Sequence, residues 1–363
     1  MNNSLIKSFQ SYLEVSHVIP AARGSLGIFA ALRAWGSSGK IAVPSSVCQD
    51  VISAILMAGW TPLFCDVDPN TGLTIKNEWL RAKNEGAKGA IVVHLYGNSA
   101  NTEDARTIFS DGLIIDDAAQ AFGARSDLTS RMAGTGGNIG LISFGKSKQI
   151  EVGGSILITN DSDYAKACAS ELAAVVSASK EEIHNAEFKF RCGLHKARTN
   201  LRKNGETIDF IGLLNGYSTA IRAYWNPEWS ELIKKRLNTY GDQLETRHEK
   251  VYYWINAIEG TGLIPIGMGS ESAPWRFACR LPGCNWNQQH QLGEALRSKG
   301  LDVSHWYIPS HWYLPSNFQI LPGSVQLAQE SFQFWIDDTI TLESIKNSKK
   351  IINNIFNKIQ VNI

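Results

Sequence analysis

The chain has 363 residues, of which 44% are hydrophobic and 19% charged, with a formal net charge of +1. That length and composition describe a globular protein with room for two domains and a substantial core, neither disordered nor fibrous. Near-neutral charge without a basic stripe excludes electrostatically driven binding to nucleic acid or to an anionic membrane.

The first segment, MNNSLIKSFQSYLEV, has neither the apolar core nor the cleavage site of a signal peptide, and no apolar run reaches the roughly 18 residues of a spanning helix. A cytoplasmic protein is therefore expected. Gly24–Arg33 reads as a helix, Lys40–Val43 as a strand ended by Pro44, and Cys48–Gly59 as a helix with Val51, Ile52, Ile55 and Leu56 on its apolar face. Pro62–Val67 is a strand followed by the turn Asp68-Pro-Asn-Thr-Gly72. Ala90–Leu95, Leu113–Ile115, Leu141–Phe144 and Ser155–Thr159 are further apolar strands. Apolar strands alternating with helices predict an α/β protein with a mixed, mostly parallel sheet covered on both faces.

Residues 180–215 are charged and read as surface helices or an interface arm. Residues 228–257 read as one long amphipathic helix that links a large domain, 1–240, to a small α+β domain, 241–363. In the small domain a strand is expected over Trp275–Leu281, a helix over Gln288–Lys299 and a last helix over Thr341–Lys358. The six cysteines (Cys48, Cys65, Cys168, Cys192, Cys279, Cys284) are scattered without a C-x-x-C, which predicts free thiols rather than zinc ligands or disulfides. His305 and His311 lack neighbouring metal ligands in sequence, so no metal site is expected. Trp275, Trp286, Trp306 and Trp312 suit either a cleft wall or the core.

The chemistry is concentrated in IIDDAAQAFGARSDLTSRMAGTGGNIGLISFGKSKQIEVGG, residues 114–154. Asp116 and Asp117 close one apolar strand, and Lys146 and Lys148 follow another in a loop of small residues. A carboxylate at a strand end needs a cation or a hydrogen-bond donor set, and an amine in a small-residue loop can reach a carbonyl. This combination suits pyridoxal 5'-phosphate (PLP), whose ring nitrogen takes a carboxylate and whose aldehyde takes a lysine. On residue type alone either aspartate also suits a helix N-cap, and either lysine also suits the surface. Ser143 and the helix start Arg23-Gly24-Ser25 offer phosphate donors. Gly134-Thr-Gly-Gly137 lacks the dinucleotide fingerprint and reads as a flexible turn.

The runs RGSLGIFAAL, VPSSVCQDVISAILMAGWTPLFCDVDPNTG, AIVVHLYGN, IIDDAAQAFGA and NIGLISFGKSKQIEVGGSILIT resemble the DegT/StrS family of PLP-dependent aminotransferases. The resemblance is dense over residues 20–160 and continues faintly in IKKRLNTY and WYIPSHWYLP. It implies the fold-type-I architecture of aspartate aminotransferase and a homodimer with sites at the two-fold interface. It implies that Asp117 is the pyridine partner, Gln120 the residue beside the ring, Lys148 the Schiff-base lysine and Ser143 a phosphate ligand. Arg23 and Gly24 match the phosphate-binding dipeptide, next to Ser25, with Arg23 where Thr or Ser is commoner.

Three departures fall on the substrate side. Cys48 stands where an aromatic residue often covers the ring. The loop from Lys148 to Gly153-Gly154 is about two residues shorter than in typical members of the family. The Gly-x-Asn-x-Arg segment that a partner subunit donates is not legible, and Asn215 is its nearest candidate. The implied function is amino transfer from a small donor to a keto substrate, a nucleotide-linked sugar or natural-product intermediate. A PLP-dependent dehydratase, cyclase or lyase is the alternative, and a regulatory protein on the same fold the third reading. Trp275, Arg276 and the His305–His311 stretch are candidates for the substrate entrance, with a surface position the simpler reading for Arg276 and a structural role for the histidines.

Overall fold

A computed structural model describes residues 1–36, 38–204, 209–305, 308–314 and 319–360. The first half runs α1 (Asn3–Leu13), β1 (His17–Ala21), α2 (Gly24–Ala34), β2 (Lys40–Pro44), α3 (Gln49–Met57), β3 (Thr61–Cys65), α4 (Lys76–Asn84) and β4 (Ala87–Val93). It continues with α5 (Thr102–Ile108), β5 (Leu113–Asp117), β6 (Ile139–Ser143), β7 (Ser155–Thr159) and α6 (Ser162–Ala174). These strands form one seven-stranded sheet in the order β1-β7-β6-β5-β4-β2-β3. Only the contacts of β7 are antiparallel; β2, β3, β4, β5 and β6 pair in parallel, as the mixed, mostly parallel sheet requires.

The two-residue period of each strand sorts its side chains into two cores. Ile91, Ile115 and Leu157 face one side with α2, α3 and α6, whereas Ile142, Ile156 and Ile158 face α1 and Phe144. Val92 and Ile114 enter a third cluster, under α4 and α5. Such doubly covered strands carry no polar face, which is why they read as continuous apolar runs. On α1, Leu5, Phe9 and Leu13 recur every fourth residue and are buried, with Phe9 stacked on Phe144 at 5.4 Å between ring centroids.

The charged stretch after residue 180 is two packed helices, α7 (Lys180–Asn204) and α8 (Phe210–Ala220). The long helix expected over 228–257 is two helices, α9 (Trp229–Asn238) and α10 (Tyr240–Ile258), with Thr239 (φ −109°, ψ 9°) between them. The break turns the Tyr240 hydroxyl into the core, where it donates to the Phe122 carbonyl. After it come β8 (Ile264–Pro265), β9 (Phe277–Arg280), α11 (Trp286–Ser298), β10 (Val303–Ser304), α12 (Pro322–Glu330), β11 (Ser331–Phe334) and α13 (Leu342–Gln360). This second sheet is antiparallel, in the order β10-β11-β9-β8. We propose residue 240 as the domain boundary: Tyr240 is buried in the first half's core, whereas Val251 and Trp254 of the same helix pack with Phe277 and Phe334.

The halves are knotted together by the loop after β4. Tyr96 adopts φ +59° and Gly97 φ +96°, and Ala273 donates its amide to the Gly97 carbonyl. A Cβ on Gly97 would meet the Ala273 carbonyl oxygen at 2.2 Å, so no side chain fits. Gly97→Ala is expected to destabilise the protein by about 2–4 kcal/mol, from the left-handed backbone plus overpacking. A urea unfolding midpoint unchanged from the parent would contradict this.

Candidate functional site

Parallel pairing sets the two aspartates on opposite faces. Val93, Asp117 and Leu141 are register partners across β4, β5 and β6, as are Val92, Asp116 and Gly140. Asp117, Val93 and Leu141 all line one cavity of about 670 Å³ at the carboxyl ends of these strands. Asp116 points away from it. There it accepts from His94 Nε2 (2.7 Å), Thr102 Oγ1 (2.9 Å) and the amides of Gly134 (3.0 Å) and Gly136 (2.8 Å). Ala100 N–H donates to His94 Nδ1 at 2.8 Å, so Nε2 carries the proton that Asp116 accepts. Burial raises the Asp116 pKa, but His94 and these donors outweigh it and hold it below the usual carboxylate range. The glycine cluster expected as a flexible turn is thus a fixed nest for Asp116.

Asp117 is 4% exposed. Its Oδ1 accepts from Ala119 N–H at 2.9 Å. Burial holds its pKa above the usual carboxylate range, with that amide and the Lys148 charge as the main opposing influences. A carboxylate so placed stabilises a cation brought into the cavity.

Lys148 and Ser143 line the same cavity. They leave β6 through a tight loop in which Ser147 has φ +62° and Trp275 Nε1 donates to the Ser147 carbonyl. The Lys148 ammonium lies 5.7 Å from the centre of the Trp275 ring. Gly153 and Gly154 close the loop under Trp229 and Trp225: Cβ atoms there would meet the indoles at 2.5 and 2.6 Å. The short glycine-rich loop is therefore matched to two large rings.

Ala22, Arg23, Gly24 and Ser25 also line the cavity, so the first amides of α2 open toward it. A Cβ on Gly24 would lie 3.8 Å from Ser143 Oγ, which places the helix start beside that hydroxyl. Arg23 pairs with Glu187 of α7, and Ser25 Oγ lies 3.4 Å from the Tyr217 hydroxyl. Cys48 caps α3 on the cavity wall. It is open to solvent through the cavity, and enclosure by protein, reinforced by Asp50, pushes its thiol up to about 11. Gln120 is anchored by Tyr96 N–H, which donates to its Oε1 at 3.1 Å. All eight candidate residues (Arg23, Gly24, Ser25, Cys48, Asp117, Gln120, Ser143 and Lys148) border this single space.

Sequence reasoning missed the wall formed by α7. Lys180, His184, Glu187 and Arg191 face the cavity at helical spacing, and Arg198 Nε ties the helix to the Tyr313 hydroxyl at 3.0 Å. The signal was present as a charged stripe with a period of three to four residues. Arg276 corrects the surface reading. It is 7% exposed, between Trp275 (4.3 Å) and Trp335 (3.6 Å), and burial lowers its pKa to about 10. The Asn215 side chain and Trp306 lie outside the described residues.

His311 is buried beside Ser45, whose Oγ lies 2.7 Å from its Nδ1. Burial lowers its pKa from 6.5 to about 4, against a smaller pull from Asp66. A base depressed in the fold contributes stability above its unfolded pKa, and this is lost as pH falls through the folded one. The parent is expected to lose on the order of 2–3 kcal/mol more than His311→Gln between these two pH values. Parallel melting curves for the two proteins would contradict it.

Residues 1–203 match the model of the DegT/DnrJ/EryC1/StrS aminotransferase family. The chain is 34% identical over 167 residues to the L-glutamine:2-deoxy-scyllo-inosose aminotransferase of Streptomyces lividus, covering 44% of this chain and 38% of that protein. It is 29% identical over 271 residues to the GDP-perosamine synthase of Escherichia coli O157:H7, covering 70% and 69% of the two chains. The first of these matches therefore spans less than half of the relative's length. In fold, the PLP form of a putative sugar aminotransferase from Streptococcus pneumoniae superposes with a TM-score of 0.77 at 15% identity, over 98% of this chain and 91% of that one. No helix among the described residues is long and apolar enough to cross a membrane.

Proposed function

This chain belongs to the DegT/DnrJ/EryC1/StrS aminotransferase family, and from that premise we propose that it is a PLP-dependent aminotransferase acting on the keto group of a sugar-like substrate. The observation that carries the reading is the convergence of Asp117 and Lys148 on one cavity that phosphate donors also line. The residues present fit the cofactor. A buried carboxylate whose ionisation is disfavoured is ready for a cationic ring nitrogen. Gly24 leaves a cradle beside Ser143, and helix amides favour an anion. The cavity volume lies within the range of small-molecule sites.

When bound, the cofactor supplies an electrophilic aldehyde and a ring that takes up the electron pair of a bond broken beside it. The protein's residues do the rest. Lys148 Nζ would be the amine that holds the aldehyde, and the same amine would move a proton to or from the substrate carbon. Asp117 would keep the ring nitrogen protonated. The amides of Gly24 and Ser25 and the Ser143 hydroxyl would hold the phosphate, with the Arg23 guanidinium, paired with Glu187, beside them. Cys48, a neutral thiol on the cavity wall, would pack beside the ring without stacking on it, and Gln120, fixed by Tyr96, would border it.

The relatives named for 2-deoxy-scyllo-inosose and GDP-perosamine support a cyclic polyhydroxylated acceptor. Lys146, Lys180, His184 and Arg191 on the cavity wall favour one that carries an anionic group, as a nucleotide-linked keto sugar does. L-Glutamine, named for the first relative, supports an amino acid donor. Exposed apolar residues on the packed α7 and α8, Phe188 and Ile211, support a homodimer that covers this side of the site. Free cysteines without a disulfide suit a reducing cytoplasm.

The test is a half-reaction. The PLP-loaded protein, given L-glutamine or L-glutamate, is expected to convert its cofactor spectrum to that of pyridoxamine phosphate, and a keto sugar is expected to reverse the change. Release of ammonia or water without that conversion would indicate elimination or cyclisation instead.

A further inference from the structure

Helix α11 carries His290 and Glu294 on one face, one turn apart, and both are exposed. The chain leaving β10 sets the fully buried His305 against the same helix. Its ring occupies the space left by a missing side chain: a Cβ on Gly293 would meet His305 Cε1 at 2.2 Å and Nδ1 at 2.3 Å. A glycine inside a helix costs roughly 0.5–1 kcal/mol relative to alanine, so its presence needs a reason. Here the reason is the imidazole lying on the helix backbone. The His290 and His305 ring centres are 5.9 Å apart, and Glu294 Oε1 is 4.0 Å from His305 Nε2. One donor atom from each of the three residues lies within 4.8 Å of the other two.

We infer that His290, Glu294 and His305 form a binding site for a divalent transition metal, with Zn²⁺ the best match. Two imidazoles and one carboxylate are a borderline-soft donor set, which selects Zn²⁺ over the hard Mg²⁺ and Ca²⁺. Tetrahedral bonds of about 2.0–2.2 Å put donor atoms roughly 3.4 Å apart. His305 is fixed by its packing, so His290 and Glu294 close the remaining gap by rotation at the surface. Glu294 also accepts from Arg297 Nη1 at 3.2 Å. That exposed pair is weak, and Arg297 Nε keeps the Val303 carbonyl at 3.0 Å when Glu294 turns away. The bound ion ties α11 to the end of β10, just before the chain that brings His311 back to Ser45. Three protein donors leave the fourth position to water, and the site stands apart from the amino-transfer reading.

Native mass spectrometry and Co²⁺ absorbance on the full-length protein test it. One equivalent of Co²⁺ is expected to give visible d–d bands that Zn²⁺ abolishes by displacement. His290→Gln and Glu294→Gln, both at exposed positions, are each expected to weaken Co²⁺ binding by at least about 10-fold while the metal-free melting temperature stays unchanged. No saturable uptake by the parent, or uptake unchanged in the double variant, would overturn the assignment.

Discussion

The Lys148→Ala protein is expected to fold, to bind PLP without a covalent link and to lose turnover. On this reading Lys148 does two things, as the amine for the aldehyde and as the proton carrier at the substrate carbon. Losing both removes activity by on the order of 10⁴-fold or more. The loop itself is held by the Trp275 bond to the Ser147 carbonyl and by the glycines under Trp225 and Trp229, so truncating one side chain leaves its path intact. Borohydride trapping followed by peptide mapping reads the link directly. The parent is expected to carry the label on Lys148, and Lys146→Ala to remain active and labelled. A yellow, active Lys148→Ala protein would refute the assignment.

Asp117→Asn separates binding from stability. Asparagine retains an oxygen for the Ala119 amide but cannot carry the charge. Turnover is expected to fall roughly 100- to 1000-fold, the scale of removing one preorganised electrostatic partner. The apoprotein is expected to respond the other way. Burial raises the Asp117 pKa, so the fold favours the protonated acid and is penalised as pH rises through that raised value. Cofactor-free Asp117→Asn therefore melts above the parent at neutral pH, and the difference vanishes below the carboxylate range. Adding PLP stabilises the parent more than the variant, because only the parent sets a negative charge against the ring. Equal gains for both proteins would mean that Asp117 does not face the ring nitrogen.

Each functional group of this site is also a structural compromise. The amides at the start of α2 and the Asp117 carboxylate face a cavity rather than a packed core. Asp116, its neighbour, is satisfied by four donors and belongs to the fold alone. Of the two adjacent aspartates, Asp116 is satisfied within the fold, whereas Asp117, whose charge burial disfavours, faces the cavity.

The sequence by itself determined six of the seven strands of the large sheet, all but the edge strand β1, together with its parallel character, the strand-end location of the chemistry and the chain's family resemblance. Those features are local: an apolar run, a turn or a motif is written in consecutive residues. Choosing between Asp116 and Asp117 on residue type was beyond it, because both suit a strand end; strand register sends one to His94 and the other to the cavity. The break at Thr239 was hidden because α9 and α10 share one amphipathic pattern, and it shows only in the backbone at Thr239, beside the buried Tyr240. The indoles around Arg276 and the meeting of His290 with His305 belong to tertiary structure alone, since each joins residues on separate elements whose approach no local pattern encodes, whereas the charged stripe of α7 was legible but its facing the cavity was not.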